Sequence, residues 1–168
     1  YPQRGGALRV NMNGRNITIK KDASFEPSEL SGTGSIIAYG RVFIGGASEF
    51  TGSYVFHEGA HFSISPGLLN STSPITVDGA VLVLCGFNGG EIANPLTIGG
   101  SIISMAGSCG GLGAGGGTIE FDPNASANWT GPITLTSDTE VRGEGEFTIS
   151  GALSGDYTIE YKGQTGRV

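Results

Sequence analysis

The chain is short of charge. Asp, Glu, Lys and Arg make up 14% of its 168 residues, where about 25% is usual. The nine basic residues never cluster beyond Lys20-Lys21, and the net charge is −6. Nucleic-acid binding needs a basic face to neutralise phosphates, so no nucleic-acid partner is expected. Anionic lipid would repel the same surface. Long hydrophobic runs are missing as well. The longest spans Ala80 to Cys85, far short of the roughly 20 residues of a membrane-spanning helix, so no membrane insertion is expected in this segment. No stretch places apolar residues at i, i+3, i+4 and i+7, which argues against a helical domain.

Glycine is abundant instead, at 31 positions of 168, where about 7% is average. It disfavours helix by about 1 kcal/mol per position relative to Ala. It follows no G-X-Y period, which excludes collagen. Apolar β-branched residues recur throughout, which argues against wholesale disorder. Short alternating runs, among them Asn16–Lys20, Ser35–Ile44, Ser53–Phe56, His61–Ser65, Val81–Leu84, Thr118–Phe121 and Glu146–Ser150, are bounded by Gly, Asn, Asp or Pro. They read as many short strands.

Some of these runs repeat. Pro74-Ile75-Thr76-Val77, Pro95-Leu96-Thr97-Ile98 and Pro132-Ile133-Thr134-Leu135 share one pattern, each preceded within four residues by Asn70, Asn94 or Asn128. The separations, 21 and 37 residues, suit one and nearly two solenoid coils of roughly 20 residues. Phe50-Thr51-Gly52 is echoed by Trp129-Thr130-Gly131, each followed by two strands. The expected fold is all-β: a right-handed parallel β-helix of seven or eight coils, with a β-sandwich as the alternative. The whole chain, 1–168, is expected to form a single domain. Because it starts at Tyr1 without Met and ends at Val168 inside a strand-like run, it reads as a fragment of a longer surface polypeptide.

The stretches from Asn128 to Val141, Gly145 to Gly155 and Phe50 to Ser65 resemble the passenger-associated β-strand repeat of bacterial autotransporters. These stretches span 41 of the 168 residues. It implies a parallel β-helix, a large bacterial surface protein and an extracellular location. It brings no fixed catalytic residues.

Three constellations invite chemistry. His57-Glu58-Gly59-Ala60-His61 matches H-E-x-x-H, which holds zinc only when a helix puts both imidazoles on one face. On a strand the two histidines stand about 13 Å apart at roughly 3.3 Å per residue. Gly59 suits a turn, and the chain has no third histidine. The motif therefore reads as a solenoid corner at Glu58-Gly59. The run Cys109 to Gly117 lacks the Lys of a phosphate loop and reads as a turn or an inserted loop between coils. Glu140-Val141-Arg142 and Glu144-Gly145-Glu146 read as acids on one solvated strand face.

Cys85 and Cys109 lie 24 residues apart, close to one coil plus a small insertion. Adjacent coils stand about 4.8 Å apart, within disulfide reach. The two are expected to be bridged, or else stacked as buried thiols. Asn16, Asn70, Asn124 and Asn128 head N-x-S/T sequons, which matter only in a glycosylating host. No catalytic, cofactor or metal residue is assigned. The expected function is a non-enzymatic extracellular structural or adhesive domain: a stalk, passenger or filament subunit. Its partners would be further copies, end to end, or a host or cell-surface glycan. The alternative is a carbohydrate-binding or polysaccharide-cleaving β-helix, for which Trp129, Tyr39, Tyr54, Tyr157 and Tyr161 are the aromatic candidates.

Overall fold

The structure, a computed structural model, describes residues 8–44, 48–65, 67, 69–85, 88–100, 102–106, 126–143 and 146–163. All regular elements among them are strands, and every strand pairing is parallel. The chain winds three strands per coil. The first coil is β1 (Arg9–Asn11), β2 (Arg15–Ile19) and β3 (Ser24–Phe25); the second is β4 (Glu29–Gly32), β5 (Gly34–Ala38) and β6 (Arg41–Phe43). The third is β7 (Ser48–Phe50), β8 (Ser53–Phe56) and β9 (His61–Ile64), and the fourth is β10 (Ile75–Asp78) and β11 (Val81–Cys85). Next come β12 (Asn88–Ile92), β13 (Leu96–Gly99) and β14 (Ile102–Ala106), then β15 (Ser126–Trp129), β16 (Ile133–Leu135) and β17 (Thr139–Gly143). The seventh coil is β18 (Glu146–Ile149), β19 (Leu153–Ser154) and β20 (Ile159–Gly163).

Stacking these coils produces two seven-stranded sheets, β2 to β19 and β3 to β20. The third face is split into β1-β4-β7 and β12-β15-β18, because the fourth coil crosses it with a turn at 69–73. This is a parallel β-solenoid. The antiparallel pairing of a β-sandwich occurs nowhere among the described strands.

The step from Ile17 to its partner Ile36 is 19 residues, and from Ile36 to Tyr54 it is 18. Tyr54 to Ile75 and Ile75 to Leu96 are 21 each. The three Pro–aliphatic–Thr–aliphatic segments are therefore neighbouring rungs, with Thr76 beside Thr97 and Thr97 beside Thr134. The 37-residue separation is corrected by this register: Leu96 pairs directly with Ile133, so the step is one coil carrying an insertion and not nearly two coils. The Gly-rich run 109–117 and the expected strand Thr118–Phe121 fall within that step but outside the described residues. The single run read at Ser35–Ile44 is instead two strands bent at Tyr39-Gly40. A Cβ on Gly40 would lie 2.4 Å from the carbonyls of Lys20 and Ala23, so no other residue fits that bend.

Alternation dictates the core. On the first long sheet Ile36, Tyr54, Ile75, Leu96 and Ile133 point inward, all 2% exposed or less. Phe50, Tyr54, Phe56 and Phe62 form an aromatic layer in the third coil, with Phe56 and Phe62 stacked at 4.1 Å. The echoed residues Phe50 and Trp129 occupy the same corner of different rungs, and both are fully buried. After each the chain must turn tightly. A Cβ on Gly52 would meet the Gly34 carbonyl at 2.2 Å, and one on Gly131 would meet the Asn94 carbonyl at 2.3 Å.

Candidate functional site

The H-E-x-x-H segment forms the corner between the two long sheets. The Ala60 N–H donates to the His57 carbonyl at 2.9 Å, and Gly59 has φ +86°, as the third position of a type II turn requires. His57 ends the first-sheet side and His61 opens β9. The motif is a turn, with no helix to bring its imidazoles onto one metal. Among the described residues no three His, Cys, Asp or Glu groups gather as a metal site.

The two histidines instead look along different columns of the solenoid. The His57 ring stacks on Tyr39, one rung before, with centroids 4.9 Å apart. Its Nδ1 lies 3.7 Å from the Asp78 carboxylate, one rung after. His61 lines a cleft of about 310 Å³ together with Asp22, Ala23, Ser24, Gly40, Arg41 and Gly59. Partial desolvation, and then the Arg41 charge, hold the His61 pKa below its usual 6.5. The imidazole is therefore neutral near pH 7 and can both donate and accept a hydrogen bond. The cleft combines one carboxylate, one guanidinium and one imidazole, a set suited to polar, hydroxyl-bearing ligands. Among the described residues that line it, Asp22 is the single acid.

The aromatic candidates divide. Trp129 and Tyr54 are fully buried and serve the core. Tyr39, Tyr157 and Tyr161 are exposed, but Tyr39 belongs to the second rung and the other two to the seventh. Five steps of about 4.8 Å separate them, too far to share one sugar.

The charged run also divides. Glu140 lies on β17 and Glu146 on β18, on different faces of the solenoid, which corrects the expectation of one acidic strand face. Glu144 lies outside the described residues. Glu140 accepts from Arg142 and, at 2.8 Å, from Lys162 on the next rung. The Arg142 hydrogen bond, followed by that of Lys162, holds its pKa below the usual carboxylate value.

Cys85 is buried and disulfide-bonded; Cys109 lies outside the described residues. Of the sequons, Asn124 also lies outside them. Asn16 is exposed on β2, where its side-chain oxygen accepts the Ser35 N–H at 2.9 Å. Asn70 caps its own turn, accepting from the Thr72 N–H at 3.0 Å and the Thr72 hydroxyl at 2.7 Å. Asn128 accepts the Ser150 hydroxyl at 2.9 Å. All three carbonyl oxygens have structural duties, while the amide nitrogens that would carry a glycan are not committed by these bonds.

One arrangement escaped the sequence reading. A column of buried polar groups runs along the corner beside the third face. The Ser73 hydroxyl donates to the Phe50 carbonyl at 2.8 Å. The Asn94 amide donates to the Asn70 and Ser73 carbonyls at 2.7 and 2.8 Å. The Trp129 indole N–H donates to the Asn94 carbonyl at 2.9 Å. The only sequence signal is the small polar residue before each proline, Ser73-Pro74 and Asn94-Pro95. Comparison with protein-family models, curated proteins and solved structures finds no match to this chain.

Proposed function

We propose that the chain is a non-enzymatic structural or adhesive module of an extracellular surface protein, a rigid segment of a stalk, passenger or filament. The observation that carries this reading is the pair of continuous seven-stranded parallel sheets. Side chains with chemical potential are drawn into the stack itself: Trp129 and Asn94 into the buried column, and Glu140 into an ion pair with Lys162 on the next rung. The exposed face of the first long sheet carries a plain ladder of Thr76, Thr97, Thr134 and Ser154. The bonded Cys85 supports an oxidising, extracellular setting, and the resemblance to autotransporter repeats points to a bacterial cell surface.

A second reading, carbohydrate binding, is favoured by one feature: the cleft at Asp22, Arg41 and His61. A glycan array run beside a polysaccharide depolymerisation screen separates the two. The structural reading expects no turnover, and any glycan binding unaffected by Arg41→Ala or His61→Ala. Cleavage, or binding abolished by these substitutions, would replace it with the carbohydrate reading.

A further inference from the structure

The turns that join the two long sheets differ in length, and the difference makes a dent. Ile19, Ala38 and Phe56 are partners on the first long sheet, and Ser24, Arg41 and His61 are partners on the second. The links between them are residues 20–23, 39–40 and 57–60, so four, two and four residues. A two-residue turn cannot reach as far outward as its four-residue neighbours. Gly40 is buried, with its Cβ position 2.4 Å from the carbonyls of Lys20 and Ala23. It floors the cleft of about 310 Å³ between the two longer turns. That volume is at the low end for small-molecule sites, about 300–1,000 Å³.

The two longer turns are alike. The Ala23 N–H donates to the Lys20 carbonyl at 3.1 Å, as the Ala60 N–H does to the His57 carbonyl at 2.9 Å. Their third positions, Asp22 and Gly59, have φ of +67° and +86°. Glycine takes that conformation freely. Asp22 takes it at a cost, and it brings a carboxylate to the cleft. Arg41, half-buried on the recessed rung, is the one guanidinium among the described lining residues. Its five N–H donors can hold a ligand carboxylate at two points and still serve the protein. His61 is neutral near pH 7, so it and the Ser24 hydroxyl add hydrogen-bonding capacity without charge. The described lining therefore carries one negative and one positive group. A simple anion meets its like charge in Asp22, and a simple cation meets its like charge in Arg41. A dipolar ion meets an opposite charge at both.

We infer that this cleft binds a free α-amino acid as its zwitterion, with the ammonium group on Asp22, the carboxylate on Arg41 and a polar side chain against His61 and Ser24. Such a site goes beyond a structural role for the stack. It needs only the three turns that the pairing of β3, β6 and β9 holds in register.

Titration of the whole chain with L-serine, followed by amide and imidazole NMR, tests it. L-Serine moves the resonances of Asp22, Arg41 and His61 with a Kd on the order of 1 mM. N-Acetyl-L-serine lacks the ammonium group and L-serinamide lacks the carboxylate, and each binds about tenfold or more weakly. Asp22→Asn keeps a residue that tolerates the left-handed backbone and loses the preference for L-serine over N-acetyl-L-serine. Arg41→Gln loses the preference over L-serinamide. Each variant keeps the other preference, which also proves it folded. A wild-type spectrum unmoved at about 50 mM L-serine overturns the inference. So do derivatives that bind as tightly as L-serine, and variants that keep both preferences. D-Glucose bound as tightly as L-serine overturns it too, and assigns the cleft to the carbohydrate reading.

Discussion

The indole N–H of Trp129 donates to the backbone carbonyl of Asn94 at 2.9 Å, while the Asn94 side chain donates to two carbonyls of the preceding turn. Both residues are almost wholly buried, and they lie 35 residues apart in sequence. The pair bolts the rung beyond the long insertion to the rung before it, at the corner where the fourth coil has no third strand. Removing the Asn94 amide strands two buried carbonyls. Asn94→Ala should cost about 2–4 kcal/mol, and Trp129→Phe about 1–3 kcal/mol. Urea denaturation of both variants and the double variant reads these losses, with the double loss less than additive because the groups share one network.

Tyr54 makes the opposite case. Its hydroxyl is buried without a hydrogen-bond partner among the described residues, and burial pushes its pKa up to about 12 against a smaller opposing pull from the nearby Ser48 hydroxyl. That hydroxyl already donates to the Leu30 carbonyl at 3.3 Å and does not complete a bond to Tyr54. Tyr54→Phe keeps the stacked ring and removes an unsatisfied oxygen. It should leave stability unchanged or raise it by up to about 1 kcal/mol, read as a urea midpoint equal to or above wild type.

The glycine corners predict a steric cost. A Cβ on Gly131 would sit 2.3 Å from the Asn94 carbonyl, one member of the polar column. Gly131→Ala should lose about 1–3 kcal/mol through backbone displacement. Gly67→Ala makes a comparison, since nothing lies within 4 Å of its Cβ position. Its φ of +70° leaves only conformational strain there. A melting temperature lower for Gly131→Ala than for Gly67→Ala is the expected order.

Acid should loosen the last rung first. The Asp138 carboxylate accepts from the Thr158 N–H and hydroxyl, both at 2.9 Å, and Glu140 is paired with Arg142 and Lys162. Hydrogen bonds from Thr158, backbone first and then side chain, hold Asp138 below its usual 3.8; Glu140 is held below its usual 4.5. A depressed carboxylate stabilises the fold fully above its unfolded pKa and loses that contribution as pH falls through the folded value. Amide exchange in β20 should therefore accelerate relative to β11 as pH drops below about 4, after correction for intrinsic rates. Asp138→Asn should show part of that acceleration already at neutral pH.

Reduction should also tell. Cys85 is bonded, and removing a disulfide that closes a loop of this size costs on the order of 3 kcal/mol. Thiol titration of the denatured, unreduced chain should find no free thiol. Reductant should lower the melting temperature to that of Cys85→Ser.

Much of this fold was legible because its information is local. The alternation Ile75-Thr76-Val77 and its repeats fix which side chains face inward, and the turn signals set strand length. The aromatic-Thr-Gly echo marked a true corner, since Phe50 and Trp129 hold equivalent buried places. The corner at Glu58-Gly59 was legible for the same reason, because Gly59 supplies the positive φ. Register across the insertion was not legible: a separation of 37 residues fits two coils as well as one interrupted coil until strand pairing decides. The polar column was hidden because it is made by carbonyls and by residues 21 to 35 positions apart. The cleft was hidden because its members, Asp22, Arg41 and His61, meet only when three rungs are stacked.

The buried column and the threonine ladder both depend on Leu96 lying directly beside Ile133. Thr97 and Thr134 point outward from the same two rungs, about 4.8 Å apart, while Thr76 and Thr134 are two rungs apart, at about 9.6 Å, beyond the roughly 7 Å limit for a disulfide. Paired cysteines at these sites, oxidised and mapped by peptide mass spectrometry, are the direct measurement. The predicted result is a bridge in Thr97→Cys/Thr134→Cys and none in Thr76→Cys/Thr134→Cys. A bridge in the second pair without one in the first would contradict the stacking order and everything built on it.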